Sequence, residues 1–181
     1  PTPGIDGAKL AQFFANLAPD SGMAFILVPH LDPSHVSMLP ELLRKYSAMA
    51  INQAEHGIKV EANRIYIIPP NRQMTIKHRA LQLSAPVQPR GRRAPITDTC
   101  FRTRAGDQGS NAGGVILSGT GTDGTLGVTA IKQSGGLVIA QDPASAEYDG
   151  MPTSVIQSGL ADYVLAPERM AACLRLHMTV S

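Results

Sequence analysis

The sequence predicts an α/β protein: a doubly wound, mainly parallel sheet with helices on both faces and a small antiparallel hairpin region. Three observations carry this. Runs such as AFILV, GVIL and LVIA are apolar, β-branched, closed by Gly or Pro, and too short to be core helices. Other stretches place apolar residues at helical spacing. From residue 96 onward the two kinds alternate, as in βαβ units joined by right-handed crossovers over a sheet covered on both faces.

Taken in order, residues 7–18 (GAKLAQFFANLA) put Leu10, Phe13, Phe14 and Leu17 on one helical face, and PDSG breaks that helix before the strand MAFILV. A second helix is expected over Ser34 to Ser47. Pro40 lies inside it, so the pattern predicts a kink or a late start, because proline is tolerated only in a first turn. In residues 58–84 the short runs IKV, RIYIIP, MTIKH and LQLS, separated by Asn, Gly and Pro, read as hairpins. Residues 85–95 (APVQPRGRRAP) form a Pro- and Arg-rich loop, read as a solvated surface rather than a contact for an acidic partner. The remaining chain reads as helix to about Ala105, strand 114–118, helix 124–134, strand 136–141, helix 153–159, strand 162–165 and a closing helix 167–177.

The 181 residues suffice for one domain with a core and would cramp two, so residues 1–181 are read as a single domain. A net charge of +2 and the absence of Trp argue against nucleic acid as a partner, since no basic patch with stacking aromatics is present. No apolar stretch approaches the roughly 20 residues that cross a bilayer, and no leader pattern is found, so the expectation is a cytoplasmic protein without membrane insertion. Cys100 and Cys173 lack metal or disulfide spacing and read as buried, inert thiols in a reducing compartment. A chain that starts at Pro1 without methionine is expected of a domain cut from something longer.

In a parallel sheet the site lies beyond the carboxyl ends of the strands, and two polar residues fall there: His30 after AFILVP and Asp123 after GVILSG. A histidine held by a carboxylate is the base half of a nucleophilic triad; the alternatives are a strand-end histidine satisfying a backbone group and an aspartate capping the helix that follows it. Gly119, Gly121 and Gly124 also fit G-x-G-x-x-G, with Asp142 near the place of a ribose-binding acid. Against a nucleotide, a pyrophosphate would meet the Asp123 carboxylate at the helix N-terminus, a repulsion of about 4 kcal/mol at an effective dielectric of 20. His30, Asp32 and His35 are close in sequence, but Pro33 and the want of a further ligand leave no metal site, and no cofactor is expected.

Four stretches, SGMAFILVPHLDPSHVSMLPELL, RIYIIPPN, GGVILSGTGTDGTLGVTAIKQSGG and AQDPASAEYDGMPTSVIQSGLAD, together resemble the catalytic domain of chemotaxis protein-glutamate methylesterases, the CheB type. The resemblance runs from about Leu10 to Leu174, and FRTRAGDQG is similar to the form fused to a receptor methyltransferase. It implies hydrolysis of glutamate methyl esters on the cytoplasmic helices of methylated chemoreceptors, with glutamine deamidation as a related activity. It also implies a serine nucleophile, His30 as the histidine, Asp123 as the aspartate, and a crevice formed by Pro3, Thr120, Gly121 and Met151. In that crevice the backbone amides near Thr120 and residue 3 hold the oxyanion.

One motif departs from the family. Its members open this domain with a strand and a turn G-A-S-x-G-G that carries the serine, whereas this chain offers PTPGIDG, with the first strand apparently missing. Aligned without a gap from Phe13-Phe14, the nucleophile position falls on Pro3; with one insertion it falls on Thr2, whose branched Cβ restricts χ1. Two functions of different class follow: an esterase, or a receptor- or methyltransferase-binding module that has lost its nucleophile.

Overall fold

The computed structural model describes residues 7–29, 38–86 and 96–179. Helix α1 (Gly7–Ala15) buries Leu10, Ala11, Phe13 and Phe14, the face its periodicity predicts. The Phe13 and Phe14 rings meet edge to face at 4.9 Å, and both pack edge-on against Phe25 of strand β1 (Ala24–Leu27). Phe13 and Phe14, both buried, each contribute about 1.5–3 kcal/mol through the apolar area they remove from water.

Helix α2 (Leu39–Tyr46) starts late, with Pro40 in its first turn, where proline's missing N–H costs nothing. The part of the expected helix before Met38 lies outside the described residues. Strand β2 (Ala50–Gln53) was not expected from the sequence, because AMAINQAE carries good helix formers.

Strand β3 (Arg64–Ile67) corrects the hairpin reading of RIYIIP. It pairs parallel with β1 (Phe25 opposite Ile65) on one side and with β2 (Ile51 opposite Ile65) on the other. A strand flanked on both edges and packed on both faces is apolar throughout rather than alternating, which RIYII shows. The IKV run forms no strand of its own but meets residues 79–81 antiparallel, through the Lys59–Ala80 bridge and backbone hydrogen bonds of Ile58 with Leu81 and of Val60 with Arg79.

The hairpin that does form joins β4 (Gln73–Lys77) and β5 (Ala80–Ser84) through His78 and Arg79, both at positive φ (50° and 61°). This turn usually asks for Asn-Gly. Here the Arg79 N–H donates to Asp107 Oδ2 at 3.0 Å, which holds the strained turn against helix α3 (Ile96–Gln108). A 3₁₀ turn, Gly109–Asn111, then leads to β6 (Gly113–Ile116).

Helix α4 (Thr125–Gln133), strand β7 (Leu137–Gln141), a 3₁₀ turn (Pro143–Ser145), helix α5 (Gly150–Gln157), strand β8 (Tyr163–Leu165) and helix α6 (Pro167–Thr179) follow in the expected alternation. Helix α5 begins three residues before its expected start. Gly150-Met151-Pro152 is its first turn, and Pro152 fits there for the same reason as Pro40.

Among the described residues the parallel strands form two groups, β2-β3-β1 and β6-β7-β8, which share one core. Side-chain alternation shows the two covered faces. Ile65 and Ile67 of β3 and Ile139 of β7 point to the cluster filled by α1, α2 and α6. Val138 and Ala140 face the cluster of α4 and α5, while Tyr66 and Ile68 face the hairpin and Cys100 of α3. No helix among the described residues is long and apolar enough to cross a membrane.

The edges of β1 and β6 are separated by a cavity of about 230 Å³, lined by Phe25 and Leu27 on one side and by Val115 and Leu117 on the other. Phe14 of α1 and Arg104 of α3 also face it. All four residues of β1 are only half-buried, although AFIL is as apolar as any core strand of this chain.

Candidate active site

Strand β6 ends at Ile116, and Leu117 to Gly124 turn the chain into α4. The base of this turn is fastened to the next βα connection. Gln141, fully buried at the end of β7, accepts from Ser118 N–H at 2.8 Å and donates from Nε2 to the Ser145 carbonyl at 3.1 Å. Ser118 Oγ accepts the Tyr148 N–H at 2.9 Å, Gly119 N–H donates to the Tyr148 carbonyl, and the Gly119 carbonyl accepts the Met151 N–H. Thr120 and Gly121 therefore stand exposed at the tip of a turn whose base is tied down on both sides.

The three glycines of the fingerprint have three separate steric reasons. A Cβ on Gly119 would lie 2.4 Å from Met151 Sδ. Gly121 sits at φ +86° with open space around it, so only its backbone conformation calls for glycine. Gly124 sits at φ +100°, and a Cβ there would also meet Ile116 Cδ1 at 2.8 Å. Met151 is buried beneath Gly119, in the cluster with Ile116 and Val155.

Asp123 caps a helix, though a different one from the one that follows it. Its Oδ2 accepts the Thr97 N–H and its Oδ1 accepts the Asp98 N–H, both at 3.0 Å, so the carboxylate closes the N-terminus of α3. The N-terminus of α4 is closed by Asp98, whose Oδ1 accepts the Gly124 N–H at 2.9 Å and the Gly127 N–H at 2.7 Å. Two carboxylates thus exchange helices. Burial of Asp98, reinforced by the nearby Asp123 charge, raises its carboxyl above the ordinary value against the opposing pull of the Gly127 and Gly124 amides.

This exchange answers the nucleotide reading. The amides that a pyrophosphate would need at the start of α4 already serve a carboxylate of the chain itself. Among the described residues no three His, Cys, Asp or Glu side chains gather to hold a metal. His30 lies outside the described residues, with the neighbouring Asp32 and His35, and so do Thr2 and Pro3. The structure places Asp123, Thr120, Gly121 and Met151 on or under one turn beyond the end of β6.

The sequence model of the CheB methylesterase family matches residues 6–174. The chain belongs to the CheB methylesterase family. A solved CheB methylesterase catalytic domain from Thermotoga maritima superposes with a TM-score of 0.83 at 28% identity, covering 93% of this chain and 91% of that one. A protein-glutamate methylesterase/protein-glutamine glutaminase of Photorhabdus laumondii is 35% identical over 152 residues, which are 81% of this chain and 43% of that protein. An uncharacterized 104.1 kDa protein of Rhodobacter capsulatus is 42% identical over 132 residues, 73% of this chain but 14% of its own length. The chain spans less than half the length of these two curated relatives.

Two residues of this CheB-family domain that shape the Asp123 turn were missed from sequence. Asp98 stood as one of several polar residues in ITDTCFRTR, and its only signal was an acid in a first helical turn. Gln141 was visible as the polar end of LVIAQ, a position where burial without a partner is costly.

Proposed function

We propose that this domain hydrolyses glutamate methyl esters on chemoreceptors to carboxylate and methanol, as a protein-glutamate methylesterase acting in the cytoplasm. The observation that carries the reading is the Asp123 carboxylate, fixed by two backbone amides at the end of β6 in a chain of this family. In the proposed chemistry a hydroxyl attacks the ester carbonyl while His30 accepts its proton. Asp123 orients the imidazole and stabilises its charged form, and the backbone amides near Thr120 and residue 3 hold the oxyanion. His30 then protonates the departing methoxide, and water repeats the cycle on the acyl-enzyme. Release of ammonia from glutamine follows the same path, in keeping with the second half of the relative's name.

The attacking hydroxyl belongs to Thr2 if the alignment carries one insertion. On the Pro3 alignment there is none, and the same crevice serves as a receptor- or methyltransferase-binding module. The cavity between β1 and β6 supports a further part of the proposal: a parallel strand seated there would join the two parallel groups into one sheet. A fused methyltransferase remains part of the proposal; the 104.1 kDa relative has most of its length outside the match.

The test is methanol release from methylated receptor by the full-length protein. His30→Ala should abolish it, and Asp123→Asn should lower turnover by about 10⁴-fold, as loss of the orienting acid does in a serine protease triad. Thr2→Val separates the alignments, abolishing release only if Thr2 attacks. No release from the intact protein, with receptor binding that survives His30→Ala, would overturn the esterase and leave the binding module.

A further inference from the structure

We propose that Asp98 is a positioning residue for the Asp123 turn: by capping α4 it fixes the backbone at Gly124, while the α3 amides around it fix the Asp123 carboxylate. What Asp123 does for chemistry rests on the esterase reading; the capping itself does not.

Gly124 follows Asp123 directly in the chain, and its N–H is the hydrogen-bond donor 2.9 Å from Asp98 Oδ1. The start of α3 therefore holds Asp123 twice, at its side chain through Thr97 and Asp98 N–H and at its trailing peptide through the Asp98 carboxylate. The same oxygen also takes the Gly127 N–H at 2.7 Å, which sets the direction in which α4 leaves.

The two helix ends are built to meet this closely. A Cβ on Gly127 would lie 2.6 Å from Phe101 Cβ and 3.0 Å from Asp98 Cα, and one on Gly124 would lie 3.3 Å from Thr97 Cγ2. Glycine at both places lets the backbone of α4 approach α3 to within reach of a short aspartate. The starts of the two helices thus have four amides satisfied by two side chains, Asp98 from α3 and Asp123 from the turn that leads into α4.

Replacing the side chain at 98 leaves its backbone N–H in place for Asp123, so Asp98→Ala removes one direction of the exchange and keeps the other. In the full-length protein, with kcat and KM measured well below the melting temperature, Asp98→Ala should lower kcat by about 10- to 100-fold, the usual scale for a group that orients a catalytic residue, with KM changed by less than about twofold. Asp98→Asn, which keeps an oxygen acceptor for both amides, should recover most of the kcat.

Hydrogen exchange supplies a readout independent of turnover. The Thr97 amide, which donates to Asp123 and not to Asp98, should exchange about tenfold faster in Asp98→Ala and near the wild-type rate in Asp98→Asn. An unchanged kcat in an active protein, or unchanged Thr97 exchange, overturns the proposal. A wild type that releases no methanol, together with faster Thr97 exchange in Asp98→Ala, sinks the esterase reading and upholds the positioning role. Should Asp98→Ala fail to fold, Asp98→Ser carries the same exchange measurement, because its hydroxyl falls about one bond short of both amides; wild-type exchange at Thr97 in that variant overturns the proposal.

Discussion

Gln141 gives the sharpest check on how the Asp123 turn is held. Its side chain is fully buried and uses both ends, Oε1 toward the Ser118 N–H and Nε2 toward the Ser145 carbonyl. Gln141→Leu preserves volume and removes these two bonds and the 3.2 Å bond from Nε2 to Ser145 Oγ, orphaning a buried backbone donor at Ser118 and a half-buried acceptor at Ser145. The orphaned Ser118 donor costs about 1–3 kcal/mol and the half-buried Ser145 acceptor less, while the added apolar burial of leucine returns part of that, for a net loss of up to about 3 kcal/mol. In a domain of this size the upper figure lowers the melting temperature by about 6–12 °C. Gln141→Glu keeps the acceptor for Ser118 but, once ionised, cannot donate to Ser145, and it places an ionisable group where water is excluded. Burial raises the folded-state pKa of such a carboxyl, so this variant should lose stability as pH rises and be least harmed in acid. Calorimetric melts of the three proteins across pH 5 to 8 read both effects. A leucine variant within about 1 kcal/mol of wild type would refute the view that Gln141 anchors the turn.

Three further outcomes follow from the same geometry. Gly124→Ala combines a left-handed backbone with a clash against Ile116, whereas Gly121→Ala meets only the backbone term of about 1–2 kcal/mol; urea melts should show the first variant losing clearly more than the second, and equal losses would contradict the packing beneath Gly124. Burial pushes the Cys100 thiol up to about 12, so at pH 8 a disulfide reagent should modify half-buried Cys173 in the native protein and reach Cys100 only on unfolding. Asp98 has its folded carboxyl raised, chiefly by burial, so the fold disfavours its ionised form: as pH rises from about 4 through that raised value, wild type should lose stability relative to Asp98→Asn, and a gap that is flat with pH would remove this account.

The sequence made some of this legible, and residue chemistry explains which parts. The faces of α1, the late start of α2 and the alternation after residue 96 follow from local periodicity and proline chemistry, which the fold has no reason to override. Two misses share a cause. RIYII reads with its neighbours as a hairpin, and AINQ carries no assignment, because the partners of parallel strands lie far away in sequence and leave no turn to mark them. At the candidate site, Asp123 was found because it interrupts a glycine turn after a strand. Asp98 was not, since its partners Gly124 and Gly127 lie 26 and 29 residues away and nothing within ITDTC announces them.

The glycine spacing that resembles a nucleotide fingerprint arises here from a different demand. A phosphate-binding turn uses glycines so that a ligand can approach the backbone; in this turn Gly119 and Gly124 let Met151, Ile116 and the start of α3 approach it, and Gly121 serves its positive φ alone. The amides that would face a phosphate face Asp98, and those of the neighbouring helix face Asp123. A carboxylate held by main-chain donors from a separate helix does not have to be oriented when substrate arrives, because its direction is set by folding. The Thr97 and Asp98 amides fix both Asp123 oxygens, so the directions of their lone pairs are fixed as well. Such an acceptor suits the task of holding an imidazole in one tautomer, where catalysis gains from dipoles already in place rather than from strong binding. The crossing of α3 and α4 is therefore the element of this fold on which the acid half of the proposed triad depends.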